Sequence, residues 1–203
     1  MEMAGLIPLD VNVELVHKDR FGNAKPIFQE NKIARKLISK GYLSPLWVNQ
    51  WYAPLLSPFL GIWSDRKIFK NLITDAGKAA VASRINGSGG AAAFTAIGQG
   101  TGTTAANAAD TALETEKKAD GTAASGVHAL ATASVTASRV TTTVTNDTAQ
   151  LVGTVSETAT MAITESGVFN ADTSGTLLAR QVFSAVNVVS GDSLQFTWKI
   201  KAA

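Results

Sequence analysis

The closing stretch Ser193-Leu194-Gln195-Phe196-Thr197-Trp198-Lys199-Ile200-Lys201 puts Leu194, Phe196, Trp198 and Ile200 at every second position, with polar residues between them. Successive side chains of a strand point to opposite faces, so this pattern predicts a half-buried strand with one apolar face. Burying those four side chains contributes ~1.5–3 kcal/mol each. The same signal recurs upstream. Arg139–Thr145 (RVTTTVT) is almost wholly β-branched, and Leu151–Glu157 alternates. Met161, Ile163, Val168 and Phe169 flank Glu165-Ser166-Gly167, and Leu177-Leu178 leads to Val182-Phe183. Turn residues at Asn146-Asp147, Asn170–Gly175 and Ser190-Gly191-Asp192 separate the runs. About six short strands so spaced predict a mainly β chain with a C-terminal antiparallel β-sandwich, immunoglobulin-like or jelly-roll-like.

Asn71–Glu116 precedes these strands. Thr74 or Asp75 can cap a helix over the alanines at 76, 79, 80 and 82, ending near Asn86-Gly87. Ser88-Gly89-Gly90 is a joint, Phe94–Ile97 a short buried strand, and Gly98-Gln-Gly-Thr-Gly-Thr-Thr104 opens a long loop of small residues. The glycines suggest a phosphate cradle, but a P-loop needs a lysine after its last glycine, and G-x-G-x-x-G needs glycine where Thr103 stands. No helix start follows to receive an anion.

The N-terminal third has another character. Val11, Val13 and Leu15 alternate as in a strand, Asp19–Asn23 has turn chemistry, and Ala24–Gln29 can return as a hairpin partner. Asn31 is positioned to cap a short helix with Ile33, Leu37 and Ile38 on one face, Lys32, Arg35, Lys36 and Lys40 on the other, and Gly41 as its stop. Tyr42–Trp63 (YLSPLWVNQWYAPLLSPFLGIW) holds three of the four tryptophans and both tyrosines. Its prolines at 45, 54 and 58 favour an extended or turn-rich path. Large aromatics on such a path need cover, either from the sandwich or from a neighbouring subunit. The residues expected at a partner interface are Phe21, Phe28, Arg35, Lys36, Trp47, Trp51, Tyr52, Phe59 and Trp63. We therefore divide the chain into an N-terminal anchoring arm with a short helix, residues 1–70, and a sandwich, residues 71–203, that stays folded when cut free at Asn71.

At 203 residues and 45% hydrophobic content the chain can bury a sizeable core, while its 17% charged fraction is below the ~25% of an average soluble domain. Residues 1–70 carry ten Lys/Arg against six Asp/Glu, and residues 71–203 eight against ten. That split is too weak for a nucleic-acid footprint. Without cysteine there are no disulfides or thiolate ligands. Met1–Asp10 has no basic leader region, so it does not read as a signal peptide. The apolar run Trp47–Trp63 is too broken by proline to span a membrane.

No catalytic constellation emerges. His17 and His128 have no ligand partner at metal-binding spacing, no G-x-S-x-G is present, and Glu157 and Glu165 read as acids flanking one hairpin. His128 reads as a solvated loop histidine. No catalytic, cofactor or metal residue is assigned.

Several motifs in order resemble a family of tailed-bacteriophage virion proteins. They are N-L-[IV]-T-x-A-G-K-A at Asn71–Ala79, the apolar strand Phe94–Ile97, G-T-G-T-T at Gly100–Thr104, and D-T-x-L-x-x-E at Asp110–Glu114 with Glu116. T-E-x-G-[VL]-F at Thr164–Phe169 and G-D-x-L-x-x-T-W at Gly191–Trp198 follow. Phe21–Asn31 (FGNAKPIFQEN) resembles the leading arm of some members. The resemblance implies a non-enzymatic sandwich displayed on the particle as a minor capsid, decoration, head-fibre or tail-fibre component. Its implied partners are capsid or tail subunits and copies of itself, without direct nucleic-acid or membrane contact, and its implied location is the virion after synthesis in the host cytoplasm. Capsid decoration is favoured over a tail or baseplate role because no repetitive shaft or heptad pattern is present. A reading from another class is a host-glycan-binding module using Trp47, Trp51 and Trp63.

Overall fold

A computed structural model describes residues 9–202; the leader reading at Met1–Pro8 lies outside them. In chain order the elements are β1 (Leu9–Lys18), β2 (Ile27–Glu30), α1 (Lys32–Ser39), a 3-10 turn (Pro45–Asn49), α2 (Ala53–Leu60), β3 (Gly61–Ser64), β4 (Arg66–Lys70), β5 (Leu72–Ile73) and α3 (Asp75–Asn86). There follow β6 (Ala96–Gly100), β7 (Glu116–Lys117), β8 (Val135–Val140), β9 (Thr148–Ser156), β10 (Met161–Phe169), β11 (Leu177–Val188) and β12 (Ser193–Ala202).

The chain is mainly β. One five-stranded sheet has the order β4-β1-β12-β9-β8 and a second the order β5-β11-β10-β6-β7, with every pairing antiparallel. The two sheets bury one shared core, as the two layers of a sandwich do. Val13, Leu15, Phe69, Leu151, Phe196 and Trp198 come from the first, and Ile97, Ile163, Phe183 and Val186 from the second. The alternation at 194–200 is realised, with Leu194, Phe196 and Trp198 fully buried.

The expected separation of an arm, residues 1–70, from a sandwich, residues 71–203, does not hold for two of its strands. Strand β1 pairs along its whole length with β12, Val13 opposite Trp198 and Leu15 opposite Phe196. Its other edge pairs with β4, Val13 opposite Phe69. The cause is the apolar face made by Val11, Val13 and Leu15, which only the space between the sheets can cover. The expected hairpin reduces to a Lys18–Ala24 bridge. Beyond it β2 turns away to pair with β3, Phe28 opposite Trp63.

Other differences have local causes. Helix α1 is capped as expected by Asn31, whose side chain accepts from the Ile33 and Ala34 amides, but Ala34 and Ile38 are buried while Ile33 is exposed. Residues 53–60 form a helix despite two prolines. Pro54 lies in the first turn, where its missing N–H is no loss, and in so short a helix Pro58 forfeits a single bond, to the Pro54 carbonyl. The Ser57 hydroxyl donates to that carbonyl at 3.4 Å. Strand β8 ends at Val140 rather than running to Thr145, because the Asp147 carboxylate accepts from the amides of Thr142, Thr143 and Val144 and folds that segment into a turn. Strand β10 runs without a break through Glu165-Ser166-Gly167, so Glu165 lies within a strand rather than beside a hairpin.

A chain beginning at Asn71 would lack β1 and β4, exposing one edge of β12 and part of the core. We expect it to lose cooperative thermal unfolding and the near-ultraviolet circular dichroism of packed Trp198, the reverse of the sequence expectation. A cooperative melt of residues 71–203 would contradict the pairing of first and last strands.

Candidate functional site

The polar residues of the sequence motifs converge inside the second sheet. Glu165 in β10 is fully buried. Its Oε1 accepts from the amides of Gly102 at 3.0 Å and Thr115 at 2.7 Å, and its Oε2 from the Glu114 amide at 3.1 Å and Arg180 Nε at 2.8 Å. Arg180 in β11 also donates from Nη1 to Asp110 at 2.8 Å, while Nη2 makes a looser ion pair with Glu114 at 3.5 Å. Burial works against the Arg180 charge, but Asp110 and Glu165 outweigh it and raise its pKa. Glu114 accepts in turn from the amide and hydroxyl of Thr104, which hold its pKa below the usual carboxylate range. One arginine thus faces three carboxylates, and backbone amides supply the remaining positive ends.

The Gly-rich run therefore does cradle an anion, but the anion is the protein's own Glu165. A Cβ at Gly100 or at Gly102 would come within 2.5 Å of Glu165 Oε1, so the close approach needs glycine. Thr164 and Ser166 donate to the carbonyls of Gly102 and Gly98 at 2.7 and 2.8 Å, tying the same loop to β10. Thr74 caps α3 by accepting from Gly77 at 2.9 Å and donates to the Leu177 carbonyl. A Cβ at Gly77 would be 2.4 Å from the Leu178 carbonyl, so this glycine lets α3 sit directly on β11.

His128 is buried rather than solvated, against the sequence expectation. It bonds Glu116 through Nδ1 at 2.8 Å and the Ser174 carbonyl through Nε2 at 2.9 Å, and stacks on Phe169 with ring centroids 3.7 Å apart. His17 is also buried, 2.8 Å from Asp192, which accepts from Lys25 at 2.7 Å. Burial keeps the His17 pKa below its ordinary value despite Asp192. Glu157 is buried with neither carboxylate oxygen hydrogen-bonded among the described residues, and burial pushes its pKa up to about 7.

A further lock joins the segment 27–64 to the second sheet. Lys67 in β4 and Glu30 in β2 are both buried and meet at 2.8 Å. Lys67 also donates to the Ser184 carbonyl at 3.1 Å, and Glu30 accepts from the Ser184 amide at 2.7 Å. The Trp47 indole donates to the Ser184 hydroxyl at 3.1 Å, and the Phe28 ring meets Trp47 edge-on at 4.9 Å. Burial lowers the Lys67 pKa, opposed by Glu30.

The nine residues expected at an interface divide accordingly. Phe28 and Trp47 are buried anchors of the protein's own fold, which corrects their assignment as partner contacts. Arg35 and Tyr52 are half-buried, and Lys36 is exposed. Phe21 is exposed in the β1–β2 turn with Arg20 over its ring, far in sequence from the others. Trp51, Phe59 and Trp63 are 88%, 72% and 58% exposed, and the apolar side chains of Leu55 and Ile62 are exposed in large part. Trp63 meets Phe28 edge-on at 5.5 Å, and Trp51 meets Tyr52 at 5.7 Å. Leu55 and Phe59 lie one helical turn apart on α2, Trp51 just precedes it, and β3 follows directly. Ile62 and Trp63 are successive residues of a strand and point to opposite sides. Sequence reasoning missed the exposure of Leu55 and Ile62.

Among the described residues no group of three or more His, Asp or Glu side chains is placed to hold a metal ion, and no helix is long and apolar enough to cross a membrane. No protein family, curated protein or solved structure matches the chain.

Two substitutions test these polar groups. Glu165→Gln would turn an amide donor toward other amide donors, and we expect it to cost about 3–5 kcal/mol in chemical denaturation. For Glu157 the sign is opposite. Its folded pKa near 7 lies above the ordinary 4.5, so the folded state holds the extra proton between those values and this group's contribution falls as pH rises through them. Glu157→Gln should match the wild type at pH 4 and exceed it by about 1–3 kcal/mol at pH 8. An equal effect at both pH values would contradict the assignment.

Proposed function

We propose that this chain is a non-enzymatic structural component of a tailed-phage virion, a capsid decoration or minor capsid protein. It docks on a neighbouring virion subunit through exposed apolar side chains of the segment 51–63. The observation that carries the docking role is the exposure of five large apolar side chains, Trp51, Leu55, Phe59, Ile62 and Trp63, within one short segment, since Trp is enriched at binding hot spots. The virion assignment rests on the motif resemblance. Those motifs are occupied by internal contacts such as Glu165 with the 100–116 loop, so they serve as fold determinants and leave docking to the segment 51–63. The displayed module is an immunoglobulin-like or jelly-roll-like sandwich, present in more than one copy. A tail, baseplate or fibre-anchoring location uses the same segment.

The test is a phage carrying Trp51→Ala, Phe59→Ala and Trp63→Ala together, with purified heads and tails assayed for the protein. Hot-spot aromatics contribute about 2 kcal/mol or more each, so incorporation should fall at least about tenfold while the isolated variant keeps its melting curve. Normal incorporation would overturn the docking role of this segment, and absence of the wild-type protein from both fractions would overturn the virion assignment.

One observation favours a second reading, a host-glycan-binding module. Trp63 borders a cleft of about 360 Å³ with Asn49, Gln50 and Ser57, an aromatic surface beside amide and hydroxyl groups. Trp47, also expected in that set, is buried. Acrylamide should quench Trp51 and Trp63, and a glycan array carries the decision: an array signal lost in Trp63→Ala supports this reading, and a blank array removes it.

A further inference from the structure

Strand β8 ends the first sheet, with β9 on one side of it and an open edge on the other. Which backbone groups face that edge follows from the pairing across the sheet. In an antiparallel ladder alternate residues turn both N–H and C=O toward one neighbour, and the residues between them toward the other. The Asn71 amide donates to the Val11 carbonyl at 2.8 Å, so the odd residues of β1 face β4 and its even residues face β12. The registers then turn the even residues of β12 toward β9 and the odd residues of β9 toward β12. The Glu157 amide, donating to the Asp192 carbonyl at 2.8 Å, gives the same phase independently. The even residues of β9 therefore hold Thr136, Ser138 and Val140, and Ala137 and Arg139 turn their N–H and C=O groups outward. Among the described residues none of those four groups has a partner. Residues 136–139 are all exposed.

The other edges are closed. On β4 the same phase turns Ile68 outward, and the Gln29 side chain donates to its carbonyl at 3.1 Å and accepts from its amide at 3.0 Å, as a paired strand would. The edge strands of the second sheet, β5 and β7, have two residues each. Covered or very short edges resist pairing with another chain, and long bare ones invite it. Strand β8 is six residues long, without proline or glycine. Only another backbone offers acceptors and donors at its repeat, and a second copy presents the same edge in matching phase.

We propose that β8 pairs antiparallel with β8 of a second copy, joining the two five-stranded sheets into one about a two-fold axis. Outward residues must face outward residues, so the axis passes through a residue and not between two. At Arg139 it would set the two arginines directly opposite, and at Ser138 on a diagonal about 7–8 Å apart. At Ala137 it sets Arg139 opposite Val135 and Thr136 opposite Ser138, which keeps apart the only charge that β8 carries. The axis leaves the same face of the sheet inward in both copies. On that face an apolar cleft of about 510 Å³ reaches from Ala137 and Arg139 to Val81, Ile85, Phe94 and Leu151. The two clefts meet beneath the joined strands, where Ile85, 82% exposed in the single chain, gains cover. This pairing gives the multi-copy state a surface, and it rests neither on the virion assignment nor on the segment 51–63.

The experiment is sedimentation equilibrium of the full chain from micromolar to millimolar concentration, with near-ultraviolet circular dichroism as the check on folding. A monomer–dimer equilibrium is expected in that range. Ala137→Pro removes an outward N–H and no bond to β9, and should leave a folded monomer. Thr136→Lys with Ser138→Lys sets like charges opposite each other at two places across the axis, and should weaken the dimer about fivefold or more. Thr136→Lys with Ser138→Asp sets opposite charges there and should strengthen it. The proposal is overturned by a monomer throughout, by a dimer that persists in folded Ala137→Pro, or by a dimer as tight with the two lysines as with lysine and aspartate. If Ala137→Pro fails to fold, the two charge variants decide. A monomeric chain would leave the virion reading, which is tested on particles, untouched.

Discussion

Glu165 sits in β10, the middle strand of its sheet, shut off from solvent, and an ionised carboxylate there is costly unless its lone pairs are met. The amides of Gly102, Glu114 and Thr115 and the Arg180 guanidinium meet them. That requirement fixes the path of the chain from 100 to 116, which has little regular structure to hold it otherwise. It also explains the glycines at 100 and 102, which let the backbone come within reach of the acid, and the recruitment of Asp110 and Glu114 to share the arginine. Once the loop is fixed, Glu116 meets His128 and places it on Phe169, so the constraint extends to the following segment.

A parallel arrangement farther along β11 attaches the segment 27–64. The Lys67–Glu30 pair occupies the amide and carbonyl of Ser184, and Trp47 bonds the side chain of the same residue. A buried ion pair of this kind adds little net stability over an apolar contact, but its directional bonds favour a single seating. The segment is thereby held against β11 with Phe28 and Trp47 inward, and the residues of α2 that cannot reach the core, Leu55 and Phe59, are left facing water. Internal locking and external exposure are two results of the same packing.

How much of this could be read from the sequence varies with the range of the forces involved. The alternation at 194–200 and at 11–15, the Asn31 cap, the turn at Asp19–Asn23 and the stop at Gly87 are local, and they were legible. The partner of β1 was not, because Val11, Val13 and Leu15 specify an apolar face without specifying which strand lies beside it; the answer, β12, is more than 170 residues away. Helix α2 was obscured by counting prolines without their positions in the turn. The buried state of Glu165, His128 and Lys67 was hidden because each is polar, and their partners are brought together only by the folded chain. For the candidate docking segment, the exposed tryptophans at 51 and 63 were identifiable, but Phe28 and Trp47 have the same composition and the opposite role. Only the packing around Ser184 separates them.

The Glu165 carboxylate orders the 100–116 loop from within. Amide hydrogen exchange of the intact chain tests it most directly, at the three amides that meet that acid. Gly102, Glu114 and Thr115 should be protected to the same degree as core amides of β10 and β12, exchanging only with global unfolding. Exchange of these three at the rate of an open surface loop, while the strands stay protected, would contradict it.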